Sequence, residues 1–428
     1  MGASEPRPEA PDPATPESAA ARPTLRHALR ALGPGLVAGA SDTDPTTVAA
    51  VAVIGATTVF GLAWLALLVA PALIVVQVIA TRLGVLGGTD LPTAARARFR
   101  PPVQHTIALS IVAVTVLTLA ADLSAGAAAI GLLVGASTPW LVAPLAAVIV
   151  VLLVVGTSDG VVRVLKYLTL VLLAYVVSAA LTHVNWTQAL HHSFVPSFSL
   201  NHDDIAGALA LVGTTITSYV FVWQTIELGR ARRAPERLAS TEVDAASGIV
   251  FAVIIVWFIL VATGATLGVH HQQVQTAQDA ARALRPLAGD AASTVFGLGL
   301  LGSALIAVPV LMSTAAYVVG AEFDWRRGLS EPVSRAPRFY AALVVTSAAA
   351  VLATLVHVSP IRLLFYASIA GGIGTPIALG CMVVLARDPT VMRGRPIGSP
   401  LHTAGWVVTA TMGLMSGLYV LDQLGAFR

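Results

Sequence analysis

The sequence predicts an all-α integral membrane protein, and three observations carry that prediction. Of 428 residues, 56% are hydrophobic and only 11% are charged, against about 25% charged in an average soluble domain. So few charges cannot cover a water-exposed surface. Apolar runs of roughly 20 residues, the length that crosses a bilayer core as a helix, recur eleven times. The basic residues are also sorted by side: with the N-terminus inside, 21 of the 25 Lys and Arg fall in cytoplasmic segments, the asymmetry that orients membrane helices.

Taken in order, residues 1–24 are rich in Pro, Ala, Glu and Arg with no apolar run, which reads as a disordered cytoplasmic tail rather than a signal peptide. The predicted spans then lie at about 31–57, 60–82, 104–133, 138–157, 161–184, 205–227, 246–269, 291–320, 337–357, 361–386 and 403–423. The even-numbered connections collect the arginines, among them Arg82, Arg96, Arg98 and Arg100 after span two, Arg230 to Arg237 after span six and Arg326 to Arg338 after span eight. Only Arg282, Arg285, Arg362 and Arg428 fall on the opposite side. This distribution explains a pI near 9.3 without a nucleic-acid partner and places the chain as multi-pass in the cell membrane with its N-terminus cytoplasmic. The single cysteine, Cys381, excludes an intramolecular disulfide and a Cys-based metal cluster; a small buried residue is its plain reading.

Span one carries the chemistry. Its segment Ser41-Asp42-Thr43-Asp44-Pro45-Thr46-Thr47 puts two carboxylates and a proline inside an apolar run. A carboxylate at bilayer depth costs about 3 kcal/mol on insertion scales and persists where a cation or a watery cavity stabilises it. Pro45 lacks an N–H and clashes with the turn before it, so the helix should break at Asp44 and restart. In an intact helix Asp42 and Asp44 point about 200° apart; they converge only if the segment unwinds. Asp44 then becomes the N-cap of the restarted helix. Asp44 as a cap alone, with Asp42 at an aqueous mouth, is the plainer alternative. A divalent cation would offset both charges, with carbonyls of Gly39, Ala40 or Ser41 completing an oxygen shell. The third acid well inside a span is Asp122, either a hydrogen-bonded structural group or a relay.

Several segments together resemble the Nramp family of divalent metal transporters. Gly33-Pro34-Gly35-Leu36 followed by Asp44-Pro45 is similar to that family's first helix, whose Asp-Pro-Gly-Asn motif binds metal. The run Arg82-Leu83-Gly84-Val85-Leu86-Gly87-Gly88-Thr89-Asp90-Leu91, the triplet Ala121-Asp122-Leu123, and Ala307 to Leu311 with Trp325-Arg326-Arg327-Gly328-Leu329 resemble its second-, third- and eighth-helix regions. The resemblance implies a LeuT-type fold of eleven transmembrane helices: inverted repeats over about 31–185 and 204–386, an extra helix at 403–423, and substrate held between broken helices one and six. It also implies a transporter and not an enzyme, with the metal ion as substrate and no cofactor, and with divalent ions and the lipid bilayer as its partners.

The departures from the family bear on which ion is carried. Thr47 stands where the motif has Asn, and can supply a hydroxyl or lie outside the ligand shell. The sixth-helix Met-Pro-His-Asn stretch corresponds to Thr217-Ser218-Tyr219-Val220, within Gly213 to Val220, so Thr217 replaces a thioether ligand. Hydroxyl for thioether shifts a site from softer transition metals toward hard ions, as in a divergent bacterial branch similar to the Nramp-related magnesium transporters. Tyr219 and Gln224 stand where histidines of a proton route are expected, Ala125 replaces an acid three residues after Asp122, and Gly371 and Gly372 replace an amide near the metal.

The expected metal ligands are thus Asp44, Asp42, Thr47 and Thr217 with carbonyls near Ser41 and Thr214; Asp122, Tyr219 and Gln224 are candidates for relay or gating. The expected function is alternating-access import of Mg²⁺ or Mn²⁺ with doubtful proton coupling. Carriage of an organic cation or a Na⁺-coupled solute is the alternative. The pairs His191-His192 and His270-His271 read as solvated loop residues.

Overall fold

The computed structural model describes residues 43–135, 139–155, 173–182, 184–231, 235–285, 289–355 and 358–425. All regular elements among them are helical. They are α1 (Pro45–Thr58), α2 (Ala63–Arg82, continued by a π turn Leu83–Gly87), α3 (Leu91–Arg98), α4 (Pro101–Val134), α5 (Pro139–Val155), α6 (Ala174–Leu181), α7 (Trp186–Phe194) and α8 (His202–Thr215). Then follow α9 (Ser218–Ala231), α10 (Leu238–Thr263, continued by a π turn Gly264–Gly268), α11 (Ala277–Ala281), α12 (Ala292–Glu322), α13 (Pro337–Ala353), α14 (Pro360–Arg387) and α15 (Ser399–Gln423).

Seven helical stretches are long and apolar enough to cross a membrane, and α1, α5 and α13 are shorter apolar helices. Nine of the eleven expected spans correspond to described helices; the first half of span one and most of span five fall outside the described residues. His191 and His192 lie on α7, a short helix and not a loop.

Length explains the division of labour. At 1.5 Å per residue the 34-residue α4 and the 31-residue α12 each run about 46–51 Å, longer than a bilayer core, and they pack along one another as the frame. By contrast α1, α8 and α9 have 14 residues each, about 21 Å apiece, so each is half a span. Two of them are also the most enclosed: α1 is buried at eleven positions and α8 at every residue from Ile205 to Thr215. A helix apolar all round belongs to an interior rather than to a lipid face.

Close backbone approach holds the half-helices in place. Gly213 of α8 lies against α14 so tightly that a Cβ would sit 2.1 Å from the Ser368 carbonyl and 2.3 Å from the Gly372 nitrogen. Gly55 of α1 meets α10 the same way, with a Cβ falling 2.0 Å from Thr263 Oγ1. Only glycine fits at such crossings.

One end of the bundle is tied by ion pairs among the arginine-rich connections. Arg82 pairs with Glu242 at 2.7 Å, Arg96 with Asp324 at 2.7 Å, Arg98 with Asp388 at 2.5 Å and Arg327 with Asp90 at 3.3 Å, and His105 meets Glu322. Asp90 also N-caps α3 through Thr93 N at 2.8 Å, and Leu91 N donates to Thr225 Oγ1 of α9 at 3.0 Å. Arg230 at the end of α9 stacks over Tyr317 at 5.1 Å and donates to the Arg327 carbonyl at 3.2 Å. The glycine-rich connection after α2 therefore clamps α9 to α12.

Two outcomes follow. Gly213→Ala forces α8 and α14 apart and lowers stability by at least about 1–3 kcal/mol, read as an earlier thermal transition of the purified protein in detergent. Asp388 accepts from the Thr390 hydroxyl and pairs with Arg98, which together hold its carboxyl well below the usual carboxylate range. A depressed acid stabilises the fold above its unfolded value near 4 and loses that contribution as pH falls toward its folded value. Asp388→Asn therefore melts earlier than the parent at pH 7, and the gap narrows in melts run below about pH 4.

Candidate metal site at the helix breaks

The restart after Asp44 is built as its sequence demands. Asp44 is extended, with φ −72° and ψ 170°, and Pro45 opens α1. Asp44 Oδ1 accepts from Thr47 N at 2.7 Å, taking one of the amides that a helix N-terminus leaves unpaired. Its Oδ2 accepts from the Tyr219 hydroxyl of α9 at 2.8 Å. Thr47 Oγ1 stands 3.0 Å from Thr214 Oγ1 in the last turn of α8. Asp44, Thr47, Thr214 and Tyr219 thus form one connected set drawn from α1, α8 and α9, and all four are buried.

The second break lies at Ile216 and Thr217, between α8 and α9. The C-terminal turn of α8 leaves carbonyls without helical partners and carries the negative end of its dipole, so the break offers oxygens suited to a cation. Thr217 sits in this break, 5% exposed. Gln224 lies lower on α9, where its amide donates to Thr81 Oγ1 of α2 at 2.6 Å and not to Asp44. Ser41 and Asp42 lie outside the described residues.

Asp122 of α4 joins the same helix terminus. Its Oδ1 accepts from Thr46 N at 3.1 Å and from Thr46 Oγ1 at 2.6 Å, so the amides of Thr46 and Thr47 each meet a different carboxylate. Its other oxygen, Oδ2, has no partner. None of the eight ion pairs among the described residues involves Asp44 or Asp122. Two buried carboxyl groups therefore face one helix N-terminus, and the described residues that hydrogen-bond to them do so through hydroxyls and backbone amides.

Three supports went unseen in the sequence. Ser303 of α12 donates to the Thr43 carbonyl at 2.6 Å, Thr375 of α14 accepts from Ser218 N at 3.1 Å, and Thr46 anchors Asp122. Their partners lie 260, 157 and 76 residues away in sequence, so no local spacing marks them. A cavity of about 1030 Å³ lies elsewhere, lined by Phe60, Thr182, Asn185, Thr266, His270 and Arg282, beyond the far end of α1.

Residues 35–422 match the family model described as natural resistance-associated macrophage protein-like, Nramp. The chain belongs to the Nramp family. Among curated Nramp relatives, the divalent metal cation transporter MntH of Deinococcus radiodurans is 26% identical over 415 residues, 94% of this chain and 92% of that one. MntH of Ralstonia nicotianae is 30% identical over 302 residues, 66% of each chain. Among solved structures, the Eremococcus coleocola manganese transporter superposes with a TM-score of 0.72 at 17% identity, covering 96% of this chain and 90% of that one. MhsT, solved with L-phenylalanine, superposes at 0.58 with 15% identity over 90% of this chain and 97% of its own. These likenesses establish the LeuT-type helical fold that the sequence led us to expect.

The geometry separates the roles of the two buried acids. Asp122→Asn keeps an acceptor for Thr46, whereas Asp122→Ala strands a buried amide at a cost of about 1–3 kcal/mol. The Asn variant should accumulate and melt close to the parent, and the Ala variant should melt clearly earlier, in detergent-solubilised thermal scans.

Proposed function

We propose that this chain imports a hard divalent metal cation, Mg²⁺ or Mn²⁺, across the cell membrane by alternating access, with Asp44 as the principal ligand. Membership of a transporter family and curated relatives named as divalent metal cation transporters support the class of activity. One observation carries the preference for a hard ion: the side chains in contact with the Asp44–Thr47 pair are hydroxyls, Tyr219 and Thr214, and the adjoining break carries Thr217. Oxygen donors favour Mg²⁺ and Mn²⁺, whereas a thioether would favour softer metals. Asp42 and the carbonyl of Ser41 complete the proposed shell from the segment just before Thr43, and Thr47, Thr214 and Thr217 supply the rest.

Tyr219 serves as the gate in this reading. Its hydroxyl occupies Asp44 Oδ2 when no cation is held, tying α9 to the cap of α1; a cation arriving at Asp44 replaces that hydrogen bond and releases α9. Gln224, through Thr81, fastens the same helix lower down to α2.

Uptake is read as driven by membrane potential. Among the described residues no histidine lies in the middle of a membrane-length helix, so the usual groups of a proton route are lacking there. A potential of 100 mV favours entry of a divalent cation by about 4.6 kcal/mol, twice the single-charge value. The arrangement proposed is two inverted repeats, about 31–185 and 204–386, with an added helix at 403–423, and the N-terminus cytoplasmic on the side of the arginine ion pairs.

Mn²⁺ influx into proteoliposomes, followed by quenching of a trapped fluorophore, tests the proposal. Excess outside Mg²⁺ should suppress influx, Asp44→Ala should abolish it, and an imposed pH gradient alone should not drive it. Influx indifferent to Mg²⁺ would instead mark a site selective for transition metals, and influx surviving Asp44→Ala would remove Asp44 from its role. Thr217→Met, which restores a thioether, should raise competition by Cd²⁺ and lower that by Mg²⁺, each by about tenfold.

A further inference from the structure

We propose that the Ser218 hydroxyl reads the hydration shell of the carried cation, accepting a hydrogen bond from a metal-bound water; this rests on the divalent-cation reading above. A water bound to a metal has its lone pair directed at the ion and shows only hydrogens to its surroundings. A chamber for a partly hydrated ion therefore needs spare acceptors. Mg²⁺, which dehydrates reluctantly, keeps several waters when bound.

Three buried side-chain polar atoms among the described residues lack a hydrogen-bond partner: Gln77 Oε1, Asp122 Oδ2 and Ser218 Oγ. All three are oxygens able to accept. Two of them belong to residues at the helix breaks, Asp122 through its grip on Thr46 and Ser218 as the first residue of α9. Buried polar atoms are nearly always paired, and an exception calls for a cause such as a ligand or a water.

Local structure explains why Ser218 has a hydroxyl to spare. Several buried Ser and Thr hydroxyls among the described residues turn back on the carbonyl four residues earlier, as Thr215 does on Leu211 at 2.7 Å, Thr263 on Ile259 at 2.7 Å and Ser347 on Leu343 at 2.7 Å. Ser218 opens its helix after the unwound Ile216–Thr217 pair, so no helical turn precedes it. Its backbone is nonetheless fixed, because Ser218 N donates to Thr375 Oγ1 at 3.1 Å. The next residue, Tyr219, holds Asp44 directly, and the previous one, Thr217, is the residue at the thioether position. Ser218 is fully buried. A fixed backbone with an unpaired, buried oxygen on the residue between Thr217 and Tyr219 in sequence is a preorganised acceptor, one whose partner arrives with the ion.

The test uses the full-length protein, with Mg²⁺ and Mn²⁺ affinities from calorimetry and the thermal transition of the metal-free protein. Ser218→Ala and the near-isosteric, poorly accepting Ser218→Cys are compared with the parent. The metal-free variants should melt at or above the parent temperature, because an unpaired buried oxygen has been removed. Their Mg²⁺ affinity should fall about tenfold, the loss of one hydrogen bond of about 1.4 kcal/mol, and their Mn²⁺ affinity by less. Two results overturn the proposal: unchanged Mg²⁺ affinity in both variants, or a fall in affinity matched by an equal loss of metal-free stability. A parent protein that binds neither ion overturns it together with the divalent-cation reading, whereas a parent that binds and variants that bind equally overturn this inference alone.

Discussion

The structure depends on an uncompensated pair of acids: the buried carboxyl groups of Asp44 and Asp122 converge on the first turn of α1, and no basic side chain among the described residues pairs with either. The positive end of a helix dipole, equivalent to about half a charge, offsets a fraction of this and no more. Two nearby hydroxyls are directed to these acids, Thr46 to Asp122 and Tyr219 to Asp44, while Thr47 meets Thr214. Such an arrangement is poised for a cation, because an ion entering it gains the attraction of both acids without first separating either from a competing arginine.

The rest of the bundle keeps that first turn where it is. The long helices α4, α12 and α14 each contribute one group to the broken ends: Asp122, Ser303 and Thr375. Each holds a backbone amide or carbonyl at or beside a helix break, so the frame satisfies part of the irregular backbone.

Much of this was legible in the residues and some of it was not. Composition and the arginine distribution were enough for the membrane class, and Asp44-Pro45 was enough for a cap and a restart, because both effects are local. The break between α8 and α9 was different. No proline marks Gly213 to Val220, and the break was reached only through resemblance to the Nramp sixth helix. Ser303, Thr375 and Thr46 stayed hidden for a plainer reason. Their roles exist only between elements far apart in the chain, and an isolated Ser or Thr in an apolar run looks the same whether it bonds its own helix or another. Asp122 was seen as important, but its attachment to the same helix terminus as Asp44 could not be read from spacing.

The glycine contact between α8 and α14 has a mechanical meaning. Backbones pressed together without side chains between them resist sliding and still permit tilting, so Gly213 acts as a fulcrum placed one residue from Thr214. The far end of α8, at His202, is eleven residues or about 16 Å from that point. A tilt of about 10° sweeps that end through about 3 Å while Thr214 moves by well under 1 Å. The half-helix is thus a lever with nearly all of its length on one side: small tilts are amplified at its His202 end and damped at the oxygens of the break.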